Sequence, residues 1–341
     1  MKFEERFWLP HQLMSHASEM AERHGQRTPS DVIYTENKLR VMRYRPQVEK
    51  PHPIPLLMTP PLIMPYYIMD LKPGKSLVAY LVSRGLDVFM IDWGVPDASD
   101  RFDTLDDYVV RYLDHAVEVV CRLTGQPHIT LHGYCQGGIL AILYTVLFPD
   151  RVRNLVNQTG PVNFHDDGIF SLWTRERWLN VDLIVDTLGN VPAEFLWMTF
   201  QSVNPVGAIS QMIHFYEHME DDQFVQDYVA MNTWLNHSIS FPGEFFRKFV
   251  QDLYQRNLLV KGELQVAGTR INLNAIACPV LTITTEKDHV APWKSVALLN
   301  EMISSQDKAL LLMKGGHLGM TIGRGAQDEL WPALADWVLR R

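Results

Sequence analysis

Three side chains able to do nucleophilic chemistry fall at the same kind of place in this sequence. Cys135 lies between two glycines, in Gly133-Tyr134-Cys135-Gln136-Gly137. Asp288 follows the apolar run from Cys278 to Thr285, and His317 lies in Lys314-Gly315-Gly316-His317-Leu318-Gly319, just after Ala309–Met313. Each preceding run reads as a strand. All three residues therefore sit at strand C-terminal ends, the edge where open α/β sheets bind ligands. The chemistry this predicts is acyl transfer through an acyl-cysteine. His317 takes the Cys135 proton, and Asp288 fixes the imidazole tautomer and stabilises the imidazolium. Blander readings exist: Asp288 as a strand-end cap with His289 as an alternative base, and His317 as a polar loop residue. The agreement of three positions favours the triad. A tetrahedral oxyanion needs N–H donors. Gln136 offers one; because Pro60 and Pro61 carry no N–H, the other comes from the Leu62–Ile63 turn, Leu62 or Ile63, with Ile63 taken as the candidate.

The elements that must position these groups can be read around them. His128–Leu131 alternates like a strand, and Ile139–Phe148 is an apolar run long enough for a buried helix. Between them, Gly-x-Cys-x-Gly reads as the nucleophile elbow of an α/β-hydrolase fold, with Cys in place of the usual Ser. A Cβ at Gly133 or Gly137 would crowd so sharp a turn. The sulfur then projects at the positive end of a helix, which favours thiolate. Alone, the motif is equally a structural cysteine beside glycines; the strand–motif–helix context selects the functional reading.

Around the elbow, a hairpin is predicted at Val32–Tyr34 and Leu39–Tyr44, and strands at Ile54–Thr59, Asp87–Asp92 and Val152–Gln158. Helices are predicted at Lys72–Leu86, with Pro73 and Gly74 at its start, and at Thr104–Thr124. A last helix spans Leu330–Leu339. This alternation predicts a mostly parallel sheet with helices on both faces. It stops over residues 161–270, which are rich in aromatics and show no strand runs. The expected organisation is a lead-in over residues 1–30, an α/β-hydrolase core over 31–160 and 271–341, and a mainly helical cap over 161–270. Leu9, Leu13, Met14 and Met20 are expected to pack the lead-in onto the body.

The whole-chain numbers set outer limits. At 341 residues, with a formal net charge of −8, the chain is long enough for a large core, and its acidic balance argues against general nucleic-acid binding. Three widely spaced cysteines, Cys121, Cys135 and Cys278, do not form a disulfide framework and fit a reducing cytoplasm. Cys121 and Cys278 read as structural. No two of the 13 histidines are expected in metal-ligand spacing with other ligands nearby, so neither a metal nor a cofactor is expected. The N-terminus reads as no signal peptide, and no run reaches the roughly 18–20 apolar residues of a transmembrane segment. A thiol nucleophile tilts the function toward transfer: an acyl group passed from a thioester to a thiol keeps its activation.

Taken together, these stretches resemble the polyhydroxyalkanoate synthases. Gly133-Tyr134-Cys135-Gln136-Gly137-Gly138 is similar to that family's lipase-like box. Tyr66–Leu71, Val88–Gly94, Asp288-His289-Val290, Gly315–Gly319, Gly189-Asn190-Val191-Pro192 and Leu258–Glu263 resemble further family segments. The short length and the Gln after the Cys look most like the catalytic subunit of the class III, two-subunit enzymes. The resemblance implies a short-chain 3-hydroxyacyl-coenzyme A as substrate, 3-hydroxybutyryl-coenzyme A above all, a growing polyester chain, an accessory subunit, a homodimer of the catalytic subunit, and association with cytoplasmic granules. Two departures stand out. His132, where an apolar residue is expected, reads as a buried, hydrogen-bonded histidine, and Met64-Pro65 differs from the family's pattern. The competing readings are a cysteine-nucleophile hydrolase (a thioesterase or intracellular polyester depolymerase) and a non-catalytic scaffold with a relict site.

Overall fold

The computed structural model describes residues 2–15, 27–203 and 205–341. Eight strands form the central sheet: β1 Ser30–Glu36, β2 Leu39–Tyr44, β3 Leu56–Thr59, β4 Val88–Asp92, β5 Ile129–Tyr134, β6 Val152–Gln158, β7 Val280–Thr285 and β8 Lys308–Met313. Their order across the sheet is β1-β2-β4-β3-β5-β6-β7-β8. β2 pairs antiparallel with both its neighbours, and every other pairing is parallel. The apolar runs that read as buried strands are buried along their whole length in β3, β4, β5 and β7. This is what helices on both faces require.

The described helices used below are α1 Phe3–Ser15, α2 Leu77–Ser83, α3 Asp114–Thr124, α4 Gln136–Leu147, α5 Val181–Leu188, α6 Ala193–Val203, α7 Pro205–His218, α8 Asp222–Asn236, α9 Gly243–Lys248 and α10 Trp331–Leu339. Alternate residues of the strands divide the core. Leu57, Phe89, Ile91 and Leu131 pack with Val117 and Val120 of α3 and with Leu140 and Leu143 of α4. Met58, Val88 and Met90 face the other way, onto Val78 and Leu81 of α2 and Leu334 and Val338 of α10. The expected α/β-hydrolase architecture is thus the one observed.

Several local readings change. The stretch expected to be helical from Lys72 starts as a small hairpin, Asp70–Lys72 against Lys75–Ser76. Pro73 and Gly74 form its turn, with Gly74 at φ +78°, and the helix begins only after Ser76 caps Ala79 N–H at 2.8 Å. Residues 105–124 are helical throughout, opened by a Thr104/Asp107 capping box and closed by left-handed Gly125. Their middle, Tyr108–Leu113, is wound as a π-helix. A short ladder, Gln265–Val266 with Thr269–Arg270, lies where no strand was expected; two-residue strands are too short for periodicity to reveal.

Between β6 and β7 the chain is mainly helical and carries α5 to α9. It is tied to the rest at several points. Tyr108 meets Phe245 edge to face at 5.1 Å. Lys72 reaches Asp227 at 2.7 Å, with Lys75 on the same carboxylate. Lys248 pairs with Asp106 at 3.0 Å. At the N-terminus, Leu9 and Leu13 of α1 are buried against Phe215 and Met219 of the α7 segment and against Val225 and Val229 of α8. The lead-in therefore packs on the body. Met20 and the Met14 side chain lie outside the described part of the structure.

Candidate active site

β5 ends at Tyr134, and α4 begins at Gln136. Cys135 alone makes the turn, at φ 55° and ψ −120°. This region costs a non-glycine residue about 1–3 kcal/mol and persists only where the surroundings impose it. Both flanking glycines are required by close approach. A Cβ on Gly133 would strike the Gly137 carbonyl, and one on Gly137 would strike the carbonyls of Thr59 and Pro60. The turn is held from β6, where the Gln158 carbonyl accepts the Cys135 N–H at 2.8 Å.

Asp288 and His317 come from the loops after β7 and β8 and meet. His317 Nδ1 lies 2.7 Å from Asp288 Oδ2. The other carboxylate oxygen accepts the N–H groups of Val290 and Ala291, each at 2.8 Å. Asp288 is thus locked in place and its side chain is buried. His289, the alternative base, is exposed and outside this pair. The pairing leaves Nε2 as the free edge of the His317 ring. Burial disfavours the charged ring, but the electronegative atoms of Tyr134, Asp288 and Cys135 outweigh it, and His317 is held well above the usual imidazole range. Tyr134 also stacks on the imidazole, with centroids 5.5 Å apart and planes 26° apart. Among the described residues the Cys135 thiol makes no hydrogen bond, consistent with catalytic contacts that tighten only when substrate binds.

The two expected N–H donors differ in how they are presented. Gln136 heads α4, where the first N–H groups have no partner inside the helix. In the Leu62–Ile63 turn the Gln136 side chain decides the matter. Its Oε1 accepts the Leu62 N–H at 2.9 Å, so Leu62 is occupied. The Ile63 N–H has no hydrogen bond among the described residues. The turn is braced from the segment between β6 and β7: the Ile63 carbonyl accepts Ile239 N–H at 3.0 Å, and Trp234 Nε1 donates to the Pro65 carbonyl at 2.8 Å. Burial, with smaller contributions from the charges of Cys135 and Asp166, pushes the hydroxyl of Tyr254, from the same segment, well above the usual range.

His132 is fully buried and hydrogen-bonded, as expected. Its Nε2 lies 2.9 Å from Gln158 Oε1, and Gln158 Nε2 donates to Thr321 Oγ1 at 3.2 Å. Its Nδ1 has no partner among the described residues, and burial pulls its pKa down to about 4. The sequence reading missed this Gln158–Thr321 relay, the Tyr134 stack and the Gln136 brace. The one signal that pointed to any of them was a histidine in an otherwise apolar strand. A further expectation is corrected: His214, Glu217 and His218 do bring ligand atoms within 4.8 Å of one another. They sit at i, i+3 and i+4, which one face of a helix carries together.

The fold and the elbow define an α/β-hydrolase-fold protein, and the family profile described as the alpha/beta hydrolase fold matches residues 69–320. Solved structures agree at the level of fold. A Pseudomonas aeruginosa hydrolase superposes with TM-score 0.56 at 14% identity, covering 91% of this chain and 98% of its own. An esterase from Thermogutta terrifontis gives 0.54 at 13%, covering 93% and 99%. Within that fold, the profile for the N-terminus of poly-beta-hydroxybutyrate polymerase (PhaC) matches residues 15–81. Three curated poly(3-hydroxyalkanoate) polymerase subunits, each aligned over 92% of this chain, are similar throughout. The Haloferax mediterranei protein is 37% identical, with this chain spanning 64% of its length. Those of Synechocystis and Allochromatium vinosum are 36% identical, over 85% and 89% of theirs. The chain belongs to the PhaC family of poly(3-hydroxyalkanoate) polymerase subunits, an enzyme family, as the motif resemblance implied.

Proposed function

We propose that this chain polymerises 3-hydroxyacyl groups from their coenzyme A thioesters, through a covalent acyl-cysteine on Cys135. The observation that carries the reading is the His317–Asp288 pair at 2.7 Å, on the same sheet edge as an elbow cysteine in a PhaC-family chain. His317 Nε2 accepts the Cys135 proton, and the sulfur attacks the thioester carbonyl. The Gln136 and Ile63 N–H groups receive the oxyanion. The C–S bond to coenzyme A breaks, and the proton on His317 leaves with the departing thiolate as free coenzyme A. In the next half-reaction His317 takes the proton of a 3-hydroxyl group. That oxygen attacks the acyl-cysteine, an ester bond forms, and the sulfur is released and takes back the proton.

Water competes with the hydroxyl at the acyl-cysteine. Trp234 and Ile239 tie the helical segment to the Leu62–Pro65 turn, which supports its role as a cap over residues 161–270. No metal or other cofactor takes part; coenzyme A enters as part of the substrate. Short-chain monomers, 3-hydroxybutyryl first, an accessory subunit, a homodimer and residence on cytoplasmic polyester granules complete the proposal. No helix among the described residues is long and apolar enough to cross a membrane.

The test is the purified protein with 3-hydroxybutyryl-coenzyme A, alone and with a candidate accessory subunit, following released thiol and the acyl product together. Thiol release with insoluble polyester supports the proposal, and dependence on the second subunit supports the two-subunit class. Thiol release with only free 3-hydroxybutyrate sinks it in favour of a hydrolase. Cys135→Ala is expected to lower thiol release by about 10³-fold or more with folding intact; normal turnover by that variant overturns the acyl-cysteine.

A further inference from the structure

The last turn of α7 carries His214, Glu217 and His218, all exposed, with one ligand atom from each within 4.8 Å of the others. We propose that this turn binds a divalent transition-metal ion of the zinc class through these three side chains. Several features prepare it. His218 Nδ1 donates to the His214 carbonyl at 3.0 Å, which fixes the ring and leaves its Nε2 lone pair free, the arrangement that ligating histidines use. The two imidazoles are already 4.1 Å apart between centroids. Phe224 lies against both, at 5.1 and 5.2 Å, and limits the rotamers they sample. Glu217 Oε2 is 3.8 Å from His214 Nδ1. The C-terminal end of a helix is its negative pole and favours a cation.

Metal–ligand bonds near 2.0–2.2 Å require the three atoms to draw together, which exposed side chains do by small rotations. Two imidazoles and a carboxylate suit zinc and its neighbours better than calcium or magnesium, and three protein ligands leave a position for water. The spacing His-x-x-Glu-His on a helix is also that of a class of zinc peptidases. Here the ligands face solvent on a surface turn, so the geometry supports binding and not hydrolysis. The ion would tie down the corner between α7 and α8. α1 docks on that corner, with Arg6 Nη1 donating to the Met219 carbonyl at 2.7 Å. None of the acyl-transfer residues is used.

The test is calorimetric titration of untagged, chelator-treated protein with zinc chloride at pH 7.5. It is run in the Cys135→Ala background, because a thiol is itself a zinc ligand. The expected result is uptake of one ion per chain, weakened at least about tenfold by Glu217→Gln and abolished in His214→Ala/His218→Ala. Zinc is expected to raise the unfolding temperature of the parent and not of the double variant. Absence of uptake by the parent overturns the proposal, as does equal uptake by the double variant. If that variant misfolds, His218→Gln, which keeps a polar side chain on the exposed face, carries the same comparison.

Discussion

At the residue scale, the site works by fixing which nitrogen of His317 is free. The Asp288 carboxylate holds Nδ1 at 2.7 Å, which leaves Nε2 for the proton transfer proposed from Cys135. In Asp288→Asn the Oδ1 atom still accepts Val290 and Ala291, but the amide presents a donor to Nδ1. The proton then sits on Nε2, and the imidazole cannot take one from sulfur. Turnover is expected to fall about 10³–10⁴-fold with little change in thermal stability, as measured by thiol release alongside a melting curve. His132 carries a different prediction. Buried and neutral in the fold, with its pKa drawn down to about 4, it titrates near 6.5 when unfolded. Between these values the unfolded chain binds the extra proton, so stability is lost as pH falls from about 6.5 toward 4. The loss is on the order of 3 kcal/mol. His132→Gln keeps a donor for Gln158 and does not titrate. Denaturant unfolding at pH 7 and pH 5 should show a smaller acid loss in the variant; equal losses would assign the pH dependence elsewhere.

At the scale of elements, the junction of β3, β5 and α4 sets the position of every donor around the thiol. Gly137 lets α4 approach the end of β3, where a Cβ would meet the backbone carbonyls of Thr59 and Pro60. Neither carbonyl can rotate away as a side chain would. Gly137→Ala is therefore expected to cost more than about 3 kcal/mol and to appear as lost soluble yield or a lowered melting temperature. Gln136 then links α4 to the following turn through Leu62. Gln136→Leu leaves that buried N–H unpaired, at about 1–3 kcal/mol, and frees the turn that presents Ile63. The expected kinetic signature is a fall in kcat of about 10–100-fold with a smaller change in KM. A change confined to KM would remove Ile63 from the oxyanion site.

At the scale of the molecule, the helical segment between β6 and β7 is held on the α/β core by hydrogen bonds and ion pairs at several points. Asp227 is central among them. Burial alone would raise its pKa, but Lys72 and Lys75 outweigh it and hold the carboxyl below its usual range. Asp227→Ala leaves the nearly buried Lys72 ammonium without its partner, at a cost of about 1–3 kcal/mol. If that segment keeps water from the acyl-cysteine, the variant should yield more free 3-hydroxy acid relative to polyester at unchanged total thiol release. An unaltered product ratio would mean that water is excluded by other contacts.

What could be read in the sequence was what depends on local pattern. Runs of apolar residues mark strands, so β3 to β8 and the elbow between β5 and α4 were visible in the sequence, although β8 is largely exposed. The chain order Cys135, Asp288, His317, each after a strand, needed no structure either. Helix Lys72–Leu86 was misjudged in its first turn because Pro73 and Gly74 suit a hairpin turn as well as a helix start, and the competing pairing of Asp70 with Ser76 is not a property of that stretch alone. The remaining features join residues far apart in the chain. Gln136 with Leu62, His132 with Gln158 and Thr321, Tyr134 under His317, and Trp234 on Pro65 are brought together by parallel strand order and by the docking of the helical segment. Single-sequence periodicity carries no information about such contacts. The residue types and their order pointed to the proposed chemistry; only tertiary packing decided which nitrogen of His317 is left free by Asp288, which N–H of the Leu62–Ile63 turn remains unbonded among the described residues, and which ring stacks on the imidazole.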